Sequence, residues 1–154
     1  MFLRVVLRLV VTLLLGATAP LFAQQGPQPP LPTIRLSAGI HVITAEVAAN
    51  FQSQIIGLMF REKLKPNHGM LFVYPDRTTH CFWMHNTLIP LSAAFLDDDG
   101  TIVNISDMAP KTENHHCSSR PVRYGLEMEQ GWFAKRGLGA GAKISGLPSP
   151  GPNR

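Results

Sequence analysis

The stretch "THCFWMHNTLIP", residues 79–90, sets Cys81 and Met84, the imidazoles of His80 and His85, Phe82, Trp83, Asn86 and Thr87 within a dozen positions. A second thiol, Cys117, stands in "HHC" behind His115 and His116. Three chemistries fit such residues. A thiol with an imidazole is the material of a nucleophile and its base. Sulfur with imidazole also suits copper in an oxidising compartment, and His68 and Met70 extend that set of donors. An indole beside an amide and a hydroxyl suits the wall and mouth of a ligand pocket, with Trp83 apolar and Asn86 and Thr87 hydrogen-bonding.

Each has a plainer competitor. In an exported chain an even pair of cysteines reads first as a disulfide, here Cys81 with Cys117, whose loop closure is worth roughly 3–4 kcal/mol. Neighbours on a strand point to opposite faces, so His80 beside Cys81 and His116 beside Cys117 are no indication of a dyad. No pair has the H-x-x-x-H or C-x-x-C regularity that fixes metal ligands on one element, so no metal and no cofactor are assigned. There is no G-x-S-x-G elbow and no H-E-x-x-H, and "GLGAGAK" lacks the spacing of a phosphate loop. For "FWMHNT" the competitor to a pocket is a core strand running into a turn, since Asn-Thr-x-x-Pro is good turn chemistry. Arg61 and Glu127 complete the pocket candidates: they can pair with each other, or Arg61 can clamp an anion with its planar fork. A pocket requires Arg61, Trp83, Asn86, Thr87 and Glu127 to converge on one concavity.

The elements that must position these residues follow from periodicity. "HVITAEVAA" alternates as a half-buried strand. Asn50 offers an N-cap, and Phe51, Ile55, Leu58 and Met59 share one helical face, which predicts an amphipathic helix over residues 50 to about 62. "MLFVY", stopped by "PDR", reads as a buried strand, and in the strand after it Phe82 and Met84 point opposite to Cys81 and Trp83. "LSAAFLD" and "TIVNISD" flank "DDG", a hairpin signal. "VRYGLEME" alternates again, with Arg123 and Glu127 at its polar positions, and "QGWFAKRG" makes a helical turn closed by Gly137. The expectation is an α+β fold: a small, mainly antiparallel, barrel-like sheet of about seven short strands, one amphipathic helix and a short second helical turn.

The 154 residues suffice for one domain. Residues 1–23, with Arg4 and Arg8 ahead of an apolar run ending in small residues, have the layout of a signal peptide, and the run is too short for a comfortable membrane span. Residues 24–33 are a Pro-rich linker, residues 34–147 the domain, and residues 148–154 a flexible tail. Removing Arg4 and Arg8 from the 14 basic residues leaves 12 against 10 acidic ones, so the charge falls from +4 to +2. The basic residues are scattered rather than clustered, which argues against nucleic acid.

"GLMFRE", "HGMLFVYP", "FWMHNTLIPLSAAFLDDDGTIVNI" and "GLEMEQGWFAKRGLGAGAKI" are similar, in order and spacing, to the domain of unknown function 192 family, also called uncharacterised protein family 0127, from about Val42 to Ser145. The resemblance implies one compact, mixed, barrel-like domain, often exported. The family pattern FWM-x-NT-x-x-PLD is matched at Phe82, Trp83, Met84, Asn86, Thr87, Pro90 and Leu91, and Arg61 and Glu127 also fall on motif positions. The chain departs at Ser92, where the family usually has Asp, and at His85, where Lys or Arg is common; these departures weaken a mechanism needing a carboxylate at 92 and a metal role for His85. The resulting expectation is a periplasmic or secreted accessory or ligand-binding module without catalysis, whose partner is a small molecule or an envelope protein. The alternative is a small hydrolase-like enzyme with Arg61, Asn86 and Glu127 as pocket groups, and the third reading is a copper-binding protein.

Overall fold

The computed structural model describes residues 26–149. The chain runs β1 (Thr33–Ala38), β2 (His41–Ala48), α1 (Phe51–Ile56), β3 (His68–Thr78), β4 (Cys81–Phe82), β5 (Leu91–Leu96), β6 (Ile102–Met108), β7 (His116–Cys117) and β8 (Val122–Glu129), then a 3-10 turn at Ala134–Arg136. The residues expected to form a signal peptide lie outside the described region.

Six strands form one mixed sheet in the order β1-β2-β3-β8-β5-β6, and β4 and β7 make a separate ribbon. β2 and β3 run parallel, joined by the crossover through α1; the remaining neighbours are antiparallel. The sheet does not close into the expected barrel. Closure needs β1 to pair with β6, and the C-terminal segment comes between them instead. Ser37 and Ser145 exchange backbone hydrogen bonds at 3.0 and 2.8 Å, while Gly141, Ala142 and Ile144 bond to the β6 end through Ile102 and Gly100.

Strand alternation gives the sheet two apolar faces, and both are covered. One face packs Leu36, Ile43, Leu71, Tyr124, Leu126 and Met128 under Trp132, Phe133 and Ile144. The other packs Met70, Phe72, Leu91, Ala93 and Phe95 under Leu58, Phe82 and Met84. β8 lies at the centre of the sheet between β3 and β5, so both its faces are buried and its alternation does not separate core from solvent.

The helix is shorter than its apolar period. Asn50 caps it in a reciprocal box with Ser53, but Gly57 turns out of it at a φ of 50°. Gln28, in the stretch before β1, donates to the carbonyl oxygens of Ser53 and Gly57 and so fastens that end. The helix turns Ser53 and Ile56 inward, so Phe51 and Ile55 are not buried as its sequence face implied; they stand 78% and 47% exposed. β3, by contrast, runs past its expected stop through Pro75. Its register with β8 shifts between Val73 and Thr78, and β2 has already ended, so no ladder donor is required of the proline.

Gly125 of β8 is fixed by close approach. A Cβ there meets the Phe82 ring at 2.6 Å. Gly125→Ala is therefore expected to lift Phe82 off the sheet and lower stability by about 1–3 kcal/mol, the usual range for an overpacked core; an unchanged urea midpoint counts against this seat for Phe82.

Candidate functional site

The site is built on the α1 face of the sheet. A single cross-strand row runs Glu46 (β2), Met70 (β3), Glu127 (β8), Ala93 (β5). It therefore carries two carboxylates on one face, two strands or on the order of 10 Å apart.

Their environments differ completely. Arg61 grips Glu46 with both arms of its guanidinium, at 2.8 and 2.9 Å, and the backbone N–H of Leu31 donates to the same carboxylate at 2.9 Å. Burial works against the Glu46 charge, but the Arg61 and Leu31 hydrogen bonds and the Arg61 charge outweigh it and hold the carboxyl below its ordinary value. Glu127 is buried and accepts no hydrogen bond from the described residues. Burial alone pushes its carboxyl up to about 8. Arg61 and Glu127, candidates for a mutual ion pair, thus do not meet.

Glu127 lines a small cavity of about 30 Å³ with Thr87, Gln54, Leu58, Phe72, Phe82 and Trp83. This cavity shares Gln54, Ile55, Phe82 and Trp83 with an outer, mainly apolar groove of about 360 Å³ to which Phe51, Tyr74 and Cys81 also contribute. The Gln54 amide nitrogen is committed to the carbonyls of Ala48 and Val73, which fixes the side chain against the sheet. Burial, and next the Glu127 charge, push the Tyr74 phenol up from its ordinary value. His80 stacks on Tyr74 at 3.5 Å between ring centroids, and burial pushes its imidazole down.

The "FWMHNT" stretch divides between the two roles expected of it. Phe82 and Met84 are core, and Thr87 is buried in the cavity wall. Trp83 is 43% exposed at the lip of the groove, its ring stacked on that of His85, which bonds Glu113. Asn86 is a turn residue at a φ of 56°, with its side chain exposed and its carbonyl accepting from the N–H of Phe60 at 2.9 Å. That bond ties the chain after α1 to the turn, and so sets the outer wall. Of the five pocket candidates, Trp83, Thr87 and Glu127 come together; Arg61 and Asn86 do not line either cavity.

Cys81 and Cys117 face each other across the β4–β7 ribbon and form the disulfide. Ser92 lies on the opposite face of the sheet, where its hydroxyl donates to Asp107 and accepts from the N–H of Gly131, so the departure at that position does not touch the groove. Gln54, Phe51, Ile55 and Tyr74 are the lining residues that sequence patterning missed. The first three read as an ordinary helix, and Tyr74 as the end of a core strand.

Among the described residues no three His, Cys, Asp or Glu side chains gather closely enough to hold a metal ion, and no helix is long and apolar enough to cross a membrane.

The fold and site define a mixed-sheet domain with a buried carboxyl beneath an aromatic groove. The chain belongs to the DUF192 family, described as "Uncharacterized ACR", whose model matches residues 33–146. A protein of unknown function from Novosphingobium aromaticivorans DSM 12444 superposes with a TM-score of 0.72 at 31% identity, over 75% of this chain and 86% of that one. A Sinorhizobium meliloti 1021 protein, provisionally named a transcription regulator, superposes with a TM-score of 0.69 at 34% identity, over 73% of this chain and 90% of that one. A comparison with curated proteins returned no match.

Proposed function

We propose that this protein is an exported, non-catalytic module that binds a small molecule in the groove between α1 and β4. One observation carries the reading: a buried carboxyl without a hydrogen-bond partner among the described residues lines a cavity that shares Gln54, Ile55, Phe82 and Trp83 with an aromatic groove. A carboxyl whose oxygens open into a cavity rather than onto a protein donor is placed to meet a small donor that enters it. Export is supported by the basic and apolar leader pattern and by the Cys81–Cys117 disulfide, which needs an oxidising compartment to persist.

The hydrolase-like alternative has less support, because Arg61 is held by Glu46 and Asn86 is exposed and does not line the cavity with Glu127. Copper binding loses its thiols to the disulfide, and the thioethers of Met70 and Met84 are buried in the core. The name of the Sinorhizobium relative is not taken over. Arg77, Arg120, Arg123 and Lys143 lie in ion pairs with Asp97, Asp98 and Asp99, which leaves less basic surface for a nucleic acid.

The test is NMR titration with a panel of small aromatic and aliphatic compounds. The Trp83 indole resonance should move on binding. The Trp132 indole, hydrogen-bonded to Asn67 and packed with the opposite core, should stay still. Trp83→Ala should weaken a hit by about tenfold, the loss expected when one aromatic wall is removed. Shifts confined to the opposite face would refute the assignment.

A further inference from the structure

The groove reading leaves the ligand's chemistry open, and the inner cavity narrows it. Resting on that reading, we propose that the ligand is a primary amine on an apolar or aromatic body, its ammonium seated against Glu127 and its body lying in the groove over Phe82, between Phe51 and Trp83.

Size comes first. A cavity of about 30 Å³ has room for a small head group, on the order of two water molecules. An ammonium head fits that space, and a benzene-sized ring does not.

Polarity comes second. The polar groups lining the cavity are acceptors or can serve as acceptors. Glu127 accepts nothing from the described residues, and Gln54 has only its oxygen left, because its nitrogen donates to Ala48 and Val73. The Thr87 hydroxyl, free of side-chain partners among the described residues, can turn to accept. An ammonium has three donors and no acceptor. Arg61 is held on Glu46 and offers the cavity no competing charge.

The outer groove is consistent with the same cation. Trp83, Phe82, Tyr74 and Phe51 line it, and aromatic rings attract a positive charge that passes over an open face. Above pH 8, where Glu127 is ionised, a carboxylate ligand would meet it as a like charge and a neutral alcohol would leave its charge uncompensated.

Binding of this kind is linked to protons. Glu127 must ionise to pair with the ammonium, so at pH 6.5 close to one proton should leave per ligand bound. Affinity should rise about tenfold per pH unit up to about 8 and level off above it. The groups that face Glu127 do not blur this window. Tyr74 on β3 is pushed up, away from the window; Glu46 on β2 is pushed down and neutralised by Arg61; Gln54 from α1 and Ala93 on β5 carry no charge. His80 reaches the site only through its stack on Tyr74 and is pushed down.

The experiment titrates the mature chain by calorimetry and NMR with phenethylamine and hexylamine, and with phenethyl alcohol and hexanol as neutral counterparts of the same shape. Each is run at pH 8.5, where Glu127 is ionised, and at pH 6.5 in two buffers of different ionisation enthalpy. The proposal expects the amines to bind at least about tenfold tighter than the alcohols at pH 8.5 and to release close to one proton per ligand at pH 6.5. That preference should vanish in Glu127→Gln and shrink in Thr87→Val, each checked for native NMR dispersion. Alcohols that bind as well as amines, or amines that bind Glu127→Gln undiminished, overturn the amine assignment while leaving the groove as a binding site. If no probe of either kind moves the Trp83 indole, the groove reading falls as well.

Discussion

Glu127→Gln is expected to make the domain more stable than the wild type at alkaline pH and to remove most of the decline in stability between pH 5 and pH 9. The sign follows from the proton count. Burial places the Glu127 carboxyl at about 8 in the folded state, against an ordinary value of 4.5 once the chain unfolds. Between those two values the folded protein holds a proton that the unfolded chain has released. Stability from this group is therefore complete below pH 4.5, falls as pH rises, and is lost once the folded carboxyl has ionised above 8. The gap corresponds to up to about 5 kcal/mol, less whatever the site recovers by admitting water. Glutamine has the same shape and no such titration.

Glu46 bends the profile the other way at low pH. Its carboxyl is held below the ordinary value, so the support from Arg61 is present above pH 4.5 and is lost as pH falls through the folded value. The two carboxylates of one sheet row thus place the stability maximum of the wild type on the mildly acidic side. Urea midpoints at pH 5, 7 and 9 decide the matter. Parallel profiles for wild type and Glu127→Gln would mean that Glu127 is solvated or paired, and would remove the observation on which the proposed site rests.

The sequence conveyed those features that depend on near neighbours. The Asp-Gly turn between β5 and β6, with Gly100 at a φ of 85°, and the Asn50 cap are local chemistry and were legible as such. So was the family, because its motifs are contiguous words. The length of α1 was not legible: Leu58 and Met59 keep the apolar period beyond Gly57, yet they face the sheet from an irregular segment rather than from a helix. Within the helix it is Ser53 and Ile56 that turn inward, which leaves Phe51 and Ile55 to line the groove. Glu127 was misplaced for a related reason. In "YGLEME" a glutamate at alternate spacing looks like a solvent position, and only the central location of β8, covered on both faces, buries it. Convergence of α1, residues 82–87 and β8 depends on long-range pairing, which no periodicity records. Likewise, the open sheet turns on a C-terminal segment coming between β1 and β6, a contact between chain regions about a hundred residues apart.

The second large effect concerns the disulfide. Cys81 and Cys117 are separated by 36 residues, and closing a loop of that length removes chain entropy worth about 4 kcal/mol from the unfolded state. Cys81→Ala with Cys117→Ala, or reduction of the wild type, should therefore lower the unfolding free energy by that amount, read as a lower urea midpoint with a somewhat steeper slope, because the unfolded chain without the bridge is less compact. The folded ribbon has other fastenings that should keep it in place. The backbones of His80 and Ser118 bond at 2.9 Å, and the Asn104 side chain bridges Cys117 and Ser119 at 3.1 and 2.9 Å. Phe82, seated on Gly125, anchors β4 to the core. The loss should thus appear globally, in the equilibrium with the unfolded chain, with a smaller local loosening that lowers amide protection at residues 116–119 before that of β8. Because Cys81 is part of the groove wall, such loosening reaches the site: ligand affinity should fall in the reduced protein even where it remains folded. Equal urea midpoints for the oxidised and reduced forms would show that the 36-residue loop is already constrained in the unfolded chain, and the entropic account of this bridge would have to be abandoned.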